Sequence, residues 1–357
     1  MAGEYVLLGR SGLRVSRLCL GTMTFGMDWG WGSAEEASRQ IFNRFLDSGG
    51  NFIDTADGYT NGTSETLLGK FLKERGARDR TVVATKFGFG REPGNPNAGG
   101  LGRKNIYSAL ETSLRRLQTD YIDLYWLHNW DTFTPAEELM ATLDDLVRAG
   151  KVRYLGFSNC PGWFLGRAQT IAELRGLTPI IALQLEYSLV EREIEKEHLP
   201  AALELGMGIT PWSPLAGGLL TGKYQSAKGE LTGDGRLHAV KEHPSFRELF
   251  NERNWKIASE LVKVAGEIGR TPAQVALNWV ANRAGVSSTT IGATKLDQLE
   301  DNLRSLDFAI PPELGRRLEE ISAPPITYPY YFFFKQEFRD MVSGSTSVRR
   351  TRPREAA

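Results

Sequence analysis

The chain has 357 residues, 41% hydrophobic and 24% charged, which is long enough to bury one large core or two ordinary ones. Its 43 basic residues balance its 43 acidic ones, so we expect neither nucleic acid nor an anionic membrane as a partner. Two cysteines, Cys19 and Cys160, cannot supply a disulfide framework. No charged-then-apolar leader follows Met1 and no apolar run is long enough to cross a bilayer, so the sequence predicts a cytoplasmic protein.

Segments with strand and helix patterns alternate along the chain. Short β-branched or aliphatic runs predict strands, and longer segments with helical periodicity lie between them. The predicted strands are 17–20, 51–54, 81–85, 121–127, 152–157, 180–185, 208–211 and 288–291. The predicted helices are 34–48, 64–75, 104–117, 135–149, 161–175, 193–205, 246–282 and 296–305.

This alternation predicts a parallel sheet whose strands are joined by crossover helices. Eight such units, in roughly the length of one barrel domain, favour a closed (β/α)8 barrel over an open doubly wound sheet. No Pro/Gly linker divides the chain. We therefore expect a single α/β domain over residues 1–342.

Four segments fall outside the alternation. Runs 5–8 and 13–15 flank a Gly-Arg-Ser-Gly turn and predict a β-hairpin, which we expect to plug the bottom of the barrel. Stretches 88–102 and 217–243 are longer than a connection needs, which favours lids or ligand-binding loops. The polar, basic tail 343–357 is expected to be disordered.

Four polar side chains converge on one end of the predicted barrel. Asp54, Lys86 and His128 end the second, third and fourth strands, and Tyr59 lies in the loop after Asp54. Each alone fits an ordinary role such as a helix cap or a packed side chain, but the carboxyl ends of barrel strands share one site. A lysine cation beside a tyrosine lowers the pKa of the phenol, and a carboxylate orients that lysine. With the histidine as second donor to the same oxygen, they predict carbonyl reduction by hydride transfer.

Longer motifs around these residues resemble the aldo-keto reductase family. Segment 51–59, which reads Asn-Phe-Ile-Asp-Thr-Ala-Asp-Gly-Tyr, continues into 62–69 and matches that family's second-strand signature. Segments 121–128, 151–159 and 209–224 are equally similar, and the resemblance spans residues 7–322. It implies the barrel, a nicotinamide cofactor across its mouth and Tyr59 as proton donor. The branch it resembles contains bacterial reductases and potassium-channel β subunits. In those subunits the position of His128 is typically asparagine, so histidine favours an efficient enzyme.

The resemblance also implies three groups of cofactor contacts. Near the nicotinamide they are Thr22, Met23, Asp54, Ser158, Asn159, Gln184 and the stacking aromatic Trp212. Along the pyrophosphate they are Ser213, Leu215, Gly217, Lys223 and Arg236. Around the adenosine 2′-phosphate they are Gly292, Thr294, Lys295, Gln298, Asp301 and Asn302. Core packing is the alternative for Trp212, and a solvated loop charge is the alternative for Arg236.

The 2′-phosphate site departs from the family pattern. The cation that some branches carry at the position of Gly292 and the arginine often found at Gln298 are both missing. A preference for NADPH therefore depends mainly on Lys295 and Thr294, beside a helix N-terminus that suits an anion. We expect NADPH, with NADH as the alternative, and no metal. The chain has no GxGxxG motif, so a Rossmann domain is not required.

Aromatic residues suggest the class of substrate. Trp29, Trp31, Phe87 and Trp130, with Tyr331 from a C-terminal aromatic segment, are expected to wall a pocket for a bulky, apolar aldehyde or ketone. The aromatic segment 328–334 fits a barrel plug or a subunit contact equally well, so a monomer and a homo-oligomer both stay open. No arginine cluster marks a carboxylate or phosphate substrate.

Two other functions stay open at this point. The same fold can serve as an NADP(H)-binding regulatory or redox-sensing subunit with little turnover, against which His128 argues. A metal-dependent barrel hydrolase needs His, Asp or Glu ligands at several strand ends. Of the four histidines, three lie on predicted helices or loops, which disfavours a hydrolase.

Overall fold

The N-terminal hairpin covers one end of a barrel. The computed structural model describes residues 4–227, 230–232, 237 and 249–346. In it, β1 (Tyr5–Leu7) and β2 (Arg14–Ser16) pair antiparallel. Gly9 in the turn has a φ of +58°, and a Cβ atom there would lie 2.2 Å from the carbonyl oxygen of Ile181. The turn therefore needs glycine, and the hairpin lies against the end at which the barrel strands begin.

Eight parallel strands form the barrel sheet within the described residues. In chain order they are β3 (Leu18–Gly21), β4 (Phe52–Asp54), β5 (Val82–Phe87), β6 (Ile122–Leu127), β7 (Val152–Ser158), β8 (Ile180–Gln184), β9 (Gly208–Ile209) and, after a small hairpin of β10 (Gln225–Ala227) and β11 (Glu230–Thr232), β12 (Thr289–Ile291). From β3 to β9 each strand pairs with the next, and β12 pairs with β3. A parallel bridge between Ile209 and Val286 joins β9 to the β12 segment. The predicted (β/α)8 fold is confirmed.

Helices follow the strands in turn. They are α1 (Glu35–Asp47), α2 (Thr63–Arg75), α3 (Arg103–Leu117), α4 (Ala136–Arg148), α5 (Gly162–Arg175), α6 (His198–Leu205), α7 (Glu252–Ile268), α8 (Pro272–Ala281), α9 (Leu296–Leu303), α10 (Pro312–Ser322), α11 (Tyr331–Phe334) and α12 (Gln336–Ser343). The first five match the sequence prediction to within one residue at each end.

Two predicted helices are divided in the structure. Segment 193–205 consists of a 3₁₀ turn (Glu193–Glu195) followed by α6. A single helix over 246–282 is wrong, because its described part contains α7 and α8. Gly269 ends α7 with a φ of +71°. The Thr271 hydroxyl then caps α8 by accepting from the N–H of Gln274 at 3.1 Å, with proline at the first helical position.

Alternate strand side chains fill the barrel and the layer around it. Inside, Leu8 and Val15 of the hairpin pack with Phe52, Leu124 and Trp126. A larger cluster lies between the strands and the helices. Each fully buried Leu or Phe contributes about 1.5–3 kcal/mol, so these two layers hold the strand ends, and the side chains on them, in fixed positions.

The loops at the carboxyl ends of the strands are described unevenly. Segment 88–102 is described throughout, whereas much of 217–243 lies outside the described residues. The C-terminal segment is helical to Ser343, and 347–357 of the tail expected to be disordered lies outside the described residues as well. Across the described ranges, no helix combines the length and apolar character needed to span a membrane.

Candidate active site

Asp54 and Lys86 form a buried ion pair at the carboxyl ends of two adjacent strands. Both side chains are almost fully buried, and the Lys86 ammonium contacts one Asp54 carboxylate oxygen. The other carboxylate oxygen accepts from the Gln184 amide at 3.0 Å. The ammonium also donates to the Thr55 carbonyl oxygen at 2.7 Å and to the Tyr59 hydroxyl at 3.1 Å. The ammonium therefore lies in contact with the phenol hydroxyl, and its ion pair with Asp54 on the neighbouring strand holds it there.

Tyr59 and His128 face each other across the site. Tyr59 begins a 3₁₀ turn after β4. His128 directly follows β6, and its backbone N–H donates to the Phe87 carbonyl oxygen at 2.9 Å. Their ring centroids lie 5.7 Å apart and the rings are nearly perpendicular. The phenol thus has the Lys86 ammonium at its hydroxyl and the imidazole of His128 beside its ring. The structure brings together the four side chains that the sequence singled out.

Burial sets the protonation states of this group. Burial alone would lower the pKa of Lys86, but the charge of Asp54, with the Tyr59 oxygen, raises it above its ordinary value. Burial, with a smaller contribution from the Lys86 charge, holds the pKa of His128 well below its ordinary value. Lysine is therefore a cation and histidine a neutral imidazole near neutral pH. A neutral imidazole carries one N–H that can donate to an oxygen beside Tyr59.

Aromatic rings surround the exposed side of Tyr59 and His128. Trp29 lies edge-on to Tyr59, with 6.5 Å between centroids, and stands 5.4 Å from Trp31. The ring centroid of Phe89 lies 4.5 Å from that of His128, and Phe89 is about half exposed. Sequence reasoning missed Phe89, whose place in a Gly-rich segment gave no pattern to read. Trp29 and Phe89 thus place aromatic surface beside the catalytic group.

Of three further residues expected in the pocket, Phe87 lies elsewhere, and Trp130 and Tyr331 pack on neighbouring aromatic rings. Phe87 is fully buried and packs on Tyr125 at 4.7 Å in the layer between strands and helices, because it alternates with the inward-facing Lys86. The prediction for Phe87 is wrong. Trp130 packs on Trp163 and Phe164 of α5. Tyr331 packs within the C-terminal aromatic cluster, on Tyr328, Phe332 and Phe338.

Of the residues expected around the nicotinamide, some have polar groups without a hydrogen-bond partner among the described residues, and others are hydrogen-bonded within the protein. The Ser158 hydroxyl is buried without a hydrogen-bond partner among the described residues, as is Nδ1 of His128. Asn159, by contrast, donates to the His128 carbonyl oxygen at 2.9 Å and accepts from the Trp212 indole N–H at 3.1 Å. Trp212 is half-buried at the mouth. An unpartnered hydroxyl and a half-buried indole, on neighbouring parts of the site, fit an amide-bearing ring.

Two residues expected to contact the cofactor, Thr22 and Gln184, use their side chains in hydrogen bonds within the protein. The Thr22 hydroxyl is fully buried and bonds to the Asp54 carbonyl oxygen at 3.1 Å, so its side chain is not free for a ribose; Met23 next to it is half-buried. Gln184 bonds to Asp54 and so orients the carboxylate of the ion pair. The structure gives both residues a role in holding Asp54, which the sequence pattern did not indicate.

The loop after β9 forms a tight turn beside a cation. Ser213, Ala216, Gly217 and Gly218 all have positive φ. The N–H groups of Gly217 and Gly218 bond back to the Ser213 hydroxyl and the Leu215 carbonyl oxygen, at 3.3 and 2.9 Å. These groups are satisfied within the turn, and among the described residues of this loop exposed Lys223, beside Gly218, offers a positive charge to an anion. Arg236 lies outside the described residues.

The segment before α9 presents another exposed cation. Lys295 precedes the first turn of α9 and forms no ion pair with any described residue. Gln298 accepts from the N–H of Thr294 at 2.9 Å, and space is open around Gly292. Asn302 donates to the Gly292 carbonyl oxygen at 3.2 Å and braces the segment.

The Asp301 carboxylate is already hydrogen-bonded within the protein. It accepts from the Thr271 hydroxyl and the Gln274 amide, both at 2.8 Å, at the beginning of α8. These oxygens stabilise the N-terminus of a neighbouring helix, and a contact of Asp301 with the cofactor stays a prediction.

Comparisons with known proteins agree with this geometry. Residues 17–323 match the model of the aldo/keto reductase family. The chain is 40% identical to the uncharacterized oxidoreductase YrpG of Bacillus subtilis, over 90% of this chain and 97% of the relative. It is 33% identical to the aryl-alcohol dehydrogenase [NADP(+)] of Phanerodontia chrysosporium, over 90% and 86%. It is 37% identical to a probable voltage-gated potassium channel subunit beta of Oryza sativa, over 92% and 99%. The chain belongs to the aldo/keto reductase family.

Proposed function

We propose that this aldo/keto reductase uses NADPH to reduce an aryl aldehyde or ketone to the alcohol, with Tyr59 as proton donor. The observation that carries the proposal is the contact of the Lys86 ammonium with both the Tyr59 hydroxyl and the Asp54 carboxylate. A buried carboxylate, a cation and a phenol in contact form a proton-donating group whose conjugate base is stabilised.

Each of the four side chains has its own role in proton transfer. NADPH, when bound, supplies the hydride that reaches the carbonyl carbon. Tyr59 donates a hydrogen bond and then its proton to the carbonyl oxygen, and Lys86 stabilises the phenolate that remains. Asp54 and Gln184 hold the ammonium and the carboxylate in place. His128, neutral because of its burial, donates the second hydrogen bond to the same oxygen.

Several observations support a nicotinamide cofactor at this mouth. The Ser158 hydroxyl is buried and unpartnered, and the half-buried Trp212 ring offers a surface for stacking. Lys223 and Lys295 are exposed cations that would meet the pyrophosphate and the 2′-phosphate. An NADP(+)-dependent relative is consistent with NADPH as the preferred form.

The rings beside the site support an aromatic substrate. Trp29 contacts Tyr59 and Phe89 contacts His128, so an aryl carbonyl whose oxygen meets the phenol would have aromatic rings to pack against. A relative named for aryl alcohols supports the same class.

Turnover tests the proposal. The protein, NADPH and 4-nitrobenzaldehyde are mixed, and the loss of NADPH absorbance is followed with product analysis. Stoichiometric formation of the alcohol is expected, and so is a rate with NADPH above that with NADH. If NADPH binds tightly but no aldehyde or ketone of a broad panel is reduced, the enzyme assignment fails.

The potassium-channel relative favours a second candidate, a cofactor-binding regulatory subunit with little turnover. The same assay separates the two, because a redox sensor binds NADPH but reduces carbonyls only in single, slow turnovers. His128 beside Tyr59 supports the enzyme.

A further inference from the structure

Asp57 is close to Lys86 and Tyr59, the two residues proposed to act in proton transfer. Its N–H donates to the carbonyl oxygen of Lys86 at 3.2 Å, and it precedes Tyr59 by two residues. Its own carbonyl oxygen accepts from an Arg116 guanidinium N–H at 2.8 Å. The backbone of Asp57 is thereby fixed against both β5 and α3. Nothing in the proton relay uses its side chain.

The Asp57 carboxylate is buried with one close cation. The residue is 1% exposed, and neither carboxylate oxygen receives a hydrogen bond of normal geometry from the described residues. Nε of Arg91 lies 3.5 Å from one of these oxygens and is itself buried without a hydrogen bond. Glu65, the neighbouring carboxylate, is already bonded to Arg116 at 3.1 Å and to Thr85 at 2.7 Å. Arg116 also lies near Asp57, but among the described residues Arg91 is the nearby guanidinium that no other carboxylate binds.

Arg91 belongs to the loop that carries Phe89. Its N–H bonds to the Ala98 carbonyl oxygen at 2.9 Å, and its guanidinium reaches Asn105 at the start of α3 at 3.0 Å. Two residues earlier, Phe89 packs on His128 with 4.5 Å between centroids. The guanidinium thus joins segment 88–102 to the segment that carries Tyr59.

We propose that Asp57 and Arg91 form a positioning pair that holds segment 88–102 in place, so that Phe89 covers His128 and shapes the pocket for an aryl substrate. The inference rests on the proposed function for its substrate, but the pair itself is a property of the fold. Asp57 acts through Arg91 and Phe89, without touching the reacting atoms.

The surroundings of Asp57 make the pair sensitive to pH. Burial, with the charge of Glu65, raises the pKa of Asp57 to about 7, against the opposing effects of Arg91, Arg116 and the Gly58 N–H. The buried Tyr125 hydroxyl of β6 faces the same group. The carboxylate is ionised and paired with Arg91 above about pH 7 and is neutral below it. The pair therefore weakens as the pH falls.

Kinetics with two aldehydes test the positioning role. In Asp57→Asn, KM for 4-nitrobenzaldehyde should rise roughly 3- to 10-fold, the effect of one aromatic contact, while kcat, the NADPH Kd and KM for propanal stay within about 2-fold. Phe89→Ala should give the same rise, and the double variant no more. In the wild type, KM for the aryl aldehyde should be higher at about pH 6 than at about pH 8, and in Asp57→Asn it should not change. Equal changes for both aldehydes, or a pH dependence retained in Asp57→Asn, would overturn the proposal.

Hydrogen exchange tests the pair without any turnover. At about pH 8, Asp57→Asn and Arg91→Met should both speed amide exchange in segment 88–101, while Asp47→Asn should not. Asp47 is a matched control because its carboxylate pairs with Arg75 on the surface between α1 and α2. If the wild type reduces no aldehyde, the proposed function fails, and exchange alone then decides on the pair. Unchanged exchange in both variants would overturn the positioning pair, whatever the activity.

Discussion

Replacing Lys86 by methionine removes the cation at the centre of the site and leaves its partners in place. The ammonium lies 3.1 Å from the Tyr59 oxygen, a separation at which two unit charges interact by about 5 kcal/mol at an effective dielectric constant of about 20. Asp54, on the other side of the ammonium, offsets much of this. The phenolate should become harder to form, so the alkaline limit of activity should move up by roughly 1–2 pH units.

The same change also carries a cost in stability. Asp54 would remain buried with only the Gln184 amide as donor from a side chain, and an unpaired buried charge costs about 3–5 kcal/mol. We expect kcat to fall by roughly 10²- to 10⁴-fold, the unfolding temperature to drop, and the NADPH Kd to stay within a few-fold. Rates over a pH series, thermal unfolding and cofactor titration measure the three quantities. A Lys86→Met protein with the parent rate and pH profile would refute the relay.

Three further changes have distinct expected outcomes. Asp54→Asn should reduce kcat less than Lys86→Met, because the lysine keeps its bonds to Thr55 and Tyr59; a larger loss than in Lys86→Met, measured in the same assay, would contradict this order. Lys295→Ala should weaken NADPH binding by roughly 10- to 150-fold, the effect of one charge-assisted hydrogen bond, and leave NADH binding unchanged. Titration by Trp212 fluorescence quenching checks it, and equal losses for both cofactors would remove Lys295 from the phosphate site. Asp57→Asn should raise stability at about pH 8 but not at about pH 4, as measured by thermal unfolding. The folded-state pKa of about 7 lies above the ordinary value of 3.8, so the contribution of the carboxyl is full below the unfolded pKa and is lost as pH rises through about 7. The shift corresponds to about 4 kcal/mol, from which about 1–3 kcal/mol is lost to the unpaired amide; a lower unfolding temperature at about pH 8 would contradict this account.

The barrel could be predicted because strands that alternate with helices pair in parallel. The carboxyl ends of parallel strands then lie together at one end of the barrel. Asp54, Lys86 and His128 meet there as expected, since each lies at the carboxyl end of a strand of the same sheet. Phe87 was misplaced for a related reason. The prediction used distance along the chain from the strand end, whereas the pleat turns Phe87 away from the mouth, into the layer beneath the helices.

Other features depend on contacts between distant segments. The bond from Gln184 to Asp54 spans 130 residues, and the bond from Thr271 to Asp301 joins two helices. Periodicity carries no information on such pairs. The division of 246–282 could have been read from Gly269 and Pro272, which together end one helix and begin the next. The pairing of Asp57 with Arg91 required the folded loop, because Arg91 lies in a Gly-rich stretch without periodicity.

The most direct test of the central claim is the rate of aryl aldehyde reduction by the wild type and Tyr59→Phe, measured with the NADPH Kd of each protein. The phenol hydroxyl contacts Lys86 and has no assigned contact with the cofactor phosphates. The account predicts that the wild type forms the alcohol, that Tyr59→Phe loses roughly 10²- to 10⁴-fold in kcat, and that NADPH binding is nearly unchanged. Turnover by Tyr59→Phe within a few-fold of the wild type would contradict it.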